Sequence, residues 1–161
     1  MKTLKVGICG WGNVATGMFN AIESNNNYIT KAGVDINIAC IGARRDNPKC
    51  NPGATPIFRD IFDIPEQDID VVVELIGGVE VARELILKSI RAGKHVITAN
   101  KAVIFNHGDE IFAEANKNKV KVLFEAAVCA GTPIVSLGYL IIPIPLCSLS
   151  EENACFSFIG L

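Results

Sequence analysis

Four stretches of this 161-residue chain carry residues whose types and spacing could do chemistry. "GICGWGNVA", Gly7 to Ala15, fits the pattern G-x-G-x-x-G/A at Gly10, Gly12 and Ala15. Small residues there allow a tight turn at Gly10, close approach of a pyrophosphate at Gly12 and helix-on-strand packing at Ala15. A helix beginning at that point offers unshared N–H groups to phosphate oxygens. The alternative is a purely structural turn in a flavodoxin-like sheet. "GARRD", Gly42 to Asp46, puts Arg44 and Arg45 where NAD sites carry an acid for the ribose 2′-hydroxyl. A guanidinium there suits a 2′-phosphate, a charge-assisted contact of roughly 1.5–3 kcal/mol, and favours NADP. Asp46 is the alternative ribose acid and would restore NAD. "ELIGGVE", Glu74 to Glu80, brings Gly77 and Gly78, which let backbone pass close to a ribose or nicotinamide. "KHVITANKAV", Lys94 to Val103, ends an apolar run on Thr98, Asn100 and Lys101. Thr98 and Asn100 can bond neutral polar groups. Lys101 is either an ammonium at the rim of a cofactor crevice or an ordinary snorkelling surface lysine.

The elements that must position these residues alternate along the chain. Strands are predicted at Leu4–Cys9, Ile36–Ala43, Asp70–Ile76, His95–Thr98 and Val120–Phe124. "DVVVELI" is apolar almost throughout, as strands covered on both faces are. Helices are predicted at Val14–Ser24, Val81–Gly93 and Gly108–Lys119, with Glu84 and Lys88 as an i,i+4 pair and Gly93 as a stop. Ser24–Asp35 and Arg44–Pro56 read as loops. This order predicts an α/β fold, a Rossmann-like doubly wound parallel sheet with right-handed crossovers. Its strand ends should gather around one crevice with the Gly10–Ala15 turn.

Half of the residues are apolar and the net charge is -2. That describes a globular chain and gives no electrostatic case for nucleic acid. No stretch reaches the about 18 uninterrupted apolar residues of a membrane helix, and the N-terminus lacks the pattern of a secretory signal. No membrane partner and a cytoplasmic location are therefore expected. The six cysteines form no Cys-x-x-Cys pair and read as reduced packing residues.

"VVVELIGG…ARELILKSIRAGKHVITANKAVI…HGDEIFAEA…VLFEAAVCAGTPIV" resembles the homoserine dehydrogenase family over Lys5 to about Val135. The resemblance implies NAD(P)-linked interconversion of L-homoserine and L-aspartate 4-semialdehyde, in threonine, methionine and isoleucine biosynthesis. It implies that Gly10, Gly12, Asn13 and Val14 line the pyrophosphate turn. Arg44 or Arg45 would face the adenosine ribose, with Arg45-Asp46 matching the family's Arg-Asp pair. Gly77 and Gly78 stand in the matching "ELIGG", while Thr98 and Lys101 would lie by the nicotinamide and the reacting carbon, Lys101 as the catalytic residue. In "EAAVCAGT" the family holds a monovalent cation, usually sodium, largely by backbone oxygens. The matching positions are Glu125, Val128, Ala130 and Thr132, and Glu125 would also help hold the substrate amine.

Residues 1–135 are thus expected to form the NAD(P)-binding domain and 136–161 an atypical apolar tail, not an independent domain. In the family a helix into a substrate and dimerisation domain follows "GTPIV"; here Pro143 and Pro145 forbid a helix interior. The family's second lysine, which would help make one of the pair a usable base, is absent from this sequence. The expectation is a truncated chain that binds the nucleotide, is catalytically incomplete and, without the domain through which family members oligomerise, is monomeric. Two rivals stand beside it. One is another semialdehyde or sugar-phosphate dehydrogenase, with Cys129 as nucleophile. The other is a non-enzymatic NADP-binding module or an inert fragment.

Overall fold

The computed structural model describes residues 2–31 and 33–124. Six parallel strands form one sheet: β1 (Lys2–Cys9), β2 (Val34–Gly42), β3 (Ile57–Phe58), β4 (Val71–Glu74), β5 (His95–Thr98) and β6 (Val122–Leu123). Their order is β3-β2-β1-β4-β5-β6. β1 pairs with β2 on one side and β4 on the other, so the winding reverses between β1 and β4. This is the doubly wound arrangement, and such sheets open a crevice beyond the strand C-termini at the reversal.

β4 occupies the interior because every side chain along it is apolar until its last residue. Val71, Val72 and Val73 are each at most 1% exposed, and β-branched side chains suit a strand covered on both faces. Each such burial is worth roughly 1.5–3 kcal/mol. On one face Leu4, Val6, Ile8 and Val73 pack with Ala15, Met18, Phe19 and Ile22 of α1 (Asn13–Lys31). Elsewhere α2 (Glu80–Arg91) and α3 (Lys101–Asn118) bury Ala82, Ile86, Ile90, Val103 and Ile111 together with Val96 of β5. The Arg83 guanidinium joins these two helices, reaching both carboxylate oxygens of Glu110 at 2.7 and 2.6 Å.

The structure departs from the sequence expectations in four places. α1 continues to Lys31, so the start of Ser24–Asp35 is helix and not loop. Asn25 and Thr30, residues that could break the helix, bond back to the carbonyls of Ala21 and Asn26 at 2.7 and 2.6 Å, while Ile29 keeps the apolar face. α3 begins at Lys101 rather than Gly108, because the Asn100 side chain caps it by accepting from the Val103 N–H at 3.2 Å. A kink at His107, φ -135°, interrupts the periodicity just before Gly108. Lys88 does not rest on Glu84. Its ammonium donates to the Glu66 carboxylate and the Phe62 carbonyl, both at 2.7 Å, where a 3₁₀ segment (Ile61–Glu66) packs against α2. That segment and the two-residue β3 have too little length for a sequence pattern.

Candidate nucleotide-binding site

The turn after β1 is built by two glycines with different tasks. Gly10 sits at φ +101°, donates to the Gly42 carbonyl at 2.8 Å, and would bring a Cβ within 2.7 Å of the Leu75 carbonyl oxygen. Only glycine meets that conformation and that contact without strain. Gly12 has nothing within 4 Å of where its Cβ would stand. The second glycine therefore leaves open space at the start of α1, whose first N–H groups have no partner inside the helix. Between them Trp11 turns inward, 7% exposed and edge-to-face with Phe19 at 5.3 Å. Its carbonyl accepts from the Asn47 side-chain amide at 3.1 Å, which ties the turn to the segment after β2.

A crevice of about 880 Å³ opens beyond the strand ends. Its lining comes from the segments after β1 to β4, and not from the end of β5, which the sequence had placed there as well. Gly10 and Trp11 follow β1, Arg44 and Arg45 follow β2, Arg59 follows β3, and Ile76 and Gly77 follow β4. The volume is that of a small-molecule site. Three guanidinium groups thus line it. Arg44 and Arg45 are exposed and make no ion pair among the described residues. Arg59 donates to Asp46 Oδ1 at 2.8 Å and to the Ala43 carbonyl at 3.3 Å. Asp60, also at the rim, accepts from the Phe62 N–H at 2.9 Å. Both nearby acids are engaged, and the two cations after β2 are not.

Of the residues singled out in the sequence, Gly10, Arg44, Arg45 and Gly77 line the crevice. Gly12, Asn13 and Val14 lie exposed where α1 begins. Gly78, Thr98 and Lys101 stand further along, at the ends of β4 and β5. Thr98 is fully buried, and its hydroxyl donates to the Glu74 carboxylate while accepting from the Asn100 N–H at 3.0 Å. Its side chain is therefore committed within the protein and does not reach outward. The Asn100 amide donates to the Gly78 carbonyl at 2.6 Å, joining the two strand-end turns. Lys101 opens α3 as an exposed ammonium with no ion pair among the described residues. A cation at a helix N-terminus faces the positive end of the helix dipole, so it adds nothing to the helix. Glu125, Val128, Ala130 and Thr132, and with them Cys129, lie outside the described residues.

Cys9, Cys40 and Cys50 are buried free thiols. Burial pushes Cys9 far up and Cys40 up to about 11, the opposite of what a nucleophilic cysteine needs. Arg59, Trp11 and Glu74 are the residues that sequence reasoning missed. An acid closing an otherwise apolar strand was the available sign for Glu74; Arg59 had none, since β3 is too short to read.

The family model described as the NAD binding domain of homoserine dehydrogenase matches residues 10–125. The chain belongs to the homoserine dehydrogenase family. Homoserine dehydrogenase of Pseudomonas aeruginosa is 58% identical over 137 residues, covering 84% of this chain and 32% of that protein. That of Neisseria gonorrhoeae is 39% identical over 139 residues with the same coverage. The crystal structure of a homoserine dehydrogenase from Thiobacillus denitrificans superposes with a TM-score of 0.73 at 41% identity, over 78% of this chain and 30% of that one. A hyperthermophilic archaeal homoserine dehydrogenase solved with NADPH shares the fold at 23% identity, TM-score 0.67, over 84% of this chain and 47% of that one. The chain spans about a third of the length of the curated homoserine dehydrogenases it matches. Among the described residues no helix is long and apolar enough to cross a membrane.

Proposed function

We propose that this chain is the NADP-binding part of a homoserine dehydrogenase-type oxidoreductase. The observation that carries the reading is the crevice at the β1/β4 reversal, with an open glycine turn and three arginines around it. The dinucleotide fits these residues. The pyrophosphate would lie over Gly12 and the first turn of α1, and the adenosine 2′-phosphate against Arg44 and Arg45. Arg59 supports NADP over NAD by holding Asp46, the alternative ribose acid. The nicotinamide would then point toward Gly77, Gly78 and the end of β5.

When bound, the cofactor supplies the hydride acceptor for oxidation of an alcohol. The chain's contribution on the nicotinamide side is positional and electrostatic. Lys101 would place its ammonium beside the substrate oxygen and favour the developing alkoxide. Family membership supports L-homoserine as the substrate, L-aspartate 4-semialdehyde as the product, and a cytoplasmic location. Substrate recognition is assigned to parts of the family fold outside these residues, and sodium to the segment at Glu125–Thr132.

The test is a fluorescence titration of the 161-residue chain with NADPH and NADH. Wild type should favour NADPH by about 10- to 100-fold, the value of one charge-assisted phosphate contact. Arg45→Ala should shrink that difference more than it weakens NADH. Equal affinities in wild type would refute the assignment.

A further inference from the structure

Glu74 closes β4 with its carboxylate fully buried. Among the described residues no cation is paired with it. A buried charge without a counter-ion disfavours folding unless hydrogen bonds replace its water. Two do so here. Oε1 accepts from the Ile76 N–H at 2.8 Å, and Oε2 accepts from the Thr98 hydroxyl. The Thr98 oxygen in turn accepts from the Asn100 N–H at 3.0 Å. Asn100 then reaches both ways: its amide donates to the Gly78 carbonyl at 2.6 Å, and its Oδ1 accepts from the Val103 N–H at 3.2 Å. The result is a closed circuit from the turn after β4 to the start of α3. It includes Gly78 and leads directly into Lys101.

We propose that Glu74 is a positioning residue, which fixes the Gly77–Gly78 turn against Asn100 and so sets the nicotinamide side of the crevice and the placement of Lys101. This rests on the dinucleotide reading above. The direction of each bond gives the acid its reason. A carboxylate can only accept, so the Thr98 proton points at Glu74 and the Thr98 lone pairs remain for Asn100. Glutamine would still accept from Ile76, but its amide would donate to Thr98 and leave the Thr98 proton with no acceptor. The circuit lies on β4 and β5, whereas the arginines follow β2 and β3. Its influence should fall on one half of the dinucleotide only.

The experiment compares wild type, Glu74→Gln, Thr98→Val and Thr98→Ser by calorimetry with two ligands. NADPH spans both halves of the crevice; 2′-phospho-ADP-ribose lacks the nicotinamide. Glu74→Gln and Thr98→Val should each weaken NADPH by about 10-fold, the worth of one buried hydrogen bond to a charged group. Their affinity for 2′-phospho-ADP-ribose should stay within about 2-fold. Combining the two substitutions should cost little more than either alone, since both break the same circuit. Thr98→Ser keeps the hydroxyl and should retain NADPH binding. Without ligand, amide exchange should quicken at Asn100 and Val103 in Glu74→Gln, and not in α1. If Glu74→Gln fails to fold, Thr98→Val alone decides by the same comparison. Equal loss for both ligands, or no loss for either, overturns the positioning role while leaving the dinucleotide site standing. Failure of wild type to bind either ligand overturns both.

Discussion

Arg59 donates from its guanidinium to Asp46 across 2.8 Å, and the same group reaches the carbonyl of Ala43, the residue after β2. The one acid after β2 that could select an unphosphorylated ribose is thereby held by a cation from the next strand. Exposed ion pairs contribute little to stability. The pair's consequence lies in which charge faces the crevice.

Arg59→Ala should therefore change cofactor choice more than it changes folding. Freed from its partner, Asp46 becomes available to a ribose 2′-hydroxyl and repels a 2′-phosphate. NADPH affinity should fall by about 10-fold while NADH affinity holds or rises. Parallel titrations with the two cofactors measure this, with thermal melts as the control for folding. A uniform loss of both would assign Arg59 to general support of the loop.

The two glycines of the first turn should separate stability from binding. Gly10→Ala forces a side chain into φ +101° and onto the Leu75 carbonyl, and should cost about 1–3 kcal/mol of stability or more. A Cβ at Gly12 meets open space, so the melting point of Gly12→Val should stay close to wild type. Its dinucleotide affinity should nonetheless fall at least about 100-fold, because the branched side chain fills the pyrophosphate's place. Calorimetry beside thermal unfolding checks both halves of the statement.

The doubly wound sheet was legible because its signals are periodic and local. The valine run of β4, the amphipathic face of α2 and the glycine spacing after β1 each state their element without reference to distant residues. What escaped depends on pairings far apart in sequence. Arg59 acquires meaning only when β3 lies beside β2 and brings it to Asp46. Glu74 and Thr98 meet because β4 and β5 run side by side with those two residues in register. The extra turns of α1 escaped for another reason. Asparagine and threonine suggest a break, yet here they bond to their own helix carbonyls.

The buried acid should leave a mark on stability against pH. Burial raises the Glu74 carboxyl above its ordinary 4.5, with the Thr98 hydroxyl and Ile76 N–H pulling the other way. The neighbouring Cys9 thiol is itself pushed up and stays neutral. A raised value in the folded state means that the stability from Glu74 is fully present below pH 4.5. It is lost as pH rises through the folded value. Glu74→Gln cannot titrate. The melting-point difference should favour wild type most at the acid end and move toward the variant as pH rises. Surface carboxylates held low by their partners, such as Glu110 by Arg83, titrate alike in both proteins and cancel in the difference. Paired melts from about pH 4 to about pH 8 give the answer; a pH-independent difference would contradict the account.

Lys101 should matter for turnover and not for folding. It is exposed and opens α3 without an ion pair among the described residues. In a chimera joining residues 1–124 to the remainder of the Pseudomonas aeruginosa enzyme, Lys101→Ala should lower homoserine oxidation by about 100-fold or more. The melting point should move little. Steady-state kinetics at saturating NADP measure it, and unchanged turnover would return this lysine to the ordinary surface.

NADP bound in the crevice would be reported directly by Trp11. It is the chain's single tryptophan and lines the crevice beside Gly10. NADPH added to the wild-type chain should quench Trp11 emission saturably, with NADH requiring at least about 10-fold more to reach the same effect. Absence of a saturable change, or identical curves for the two nucleotides, would contradict the account.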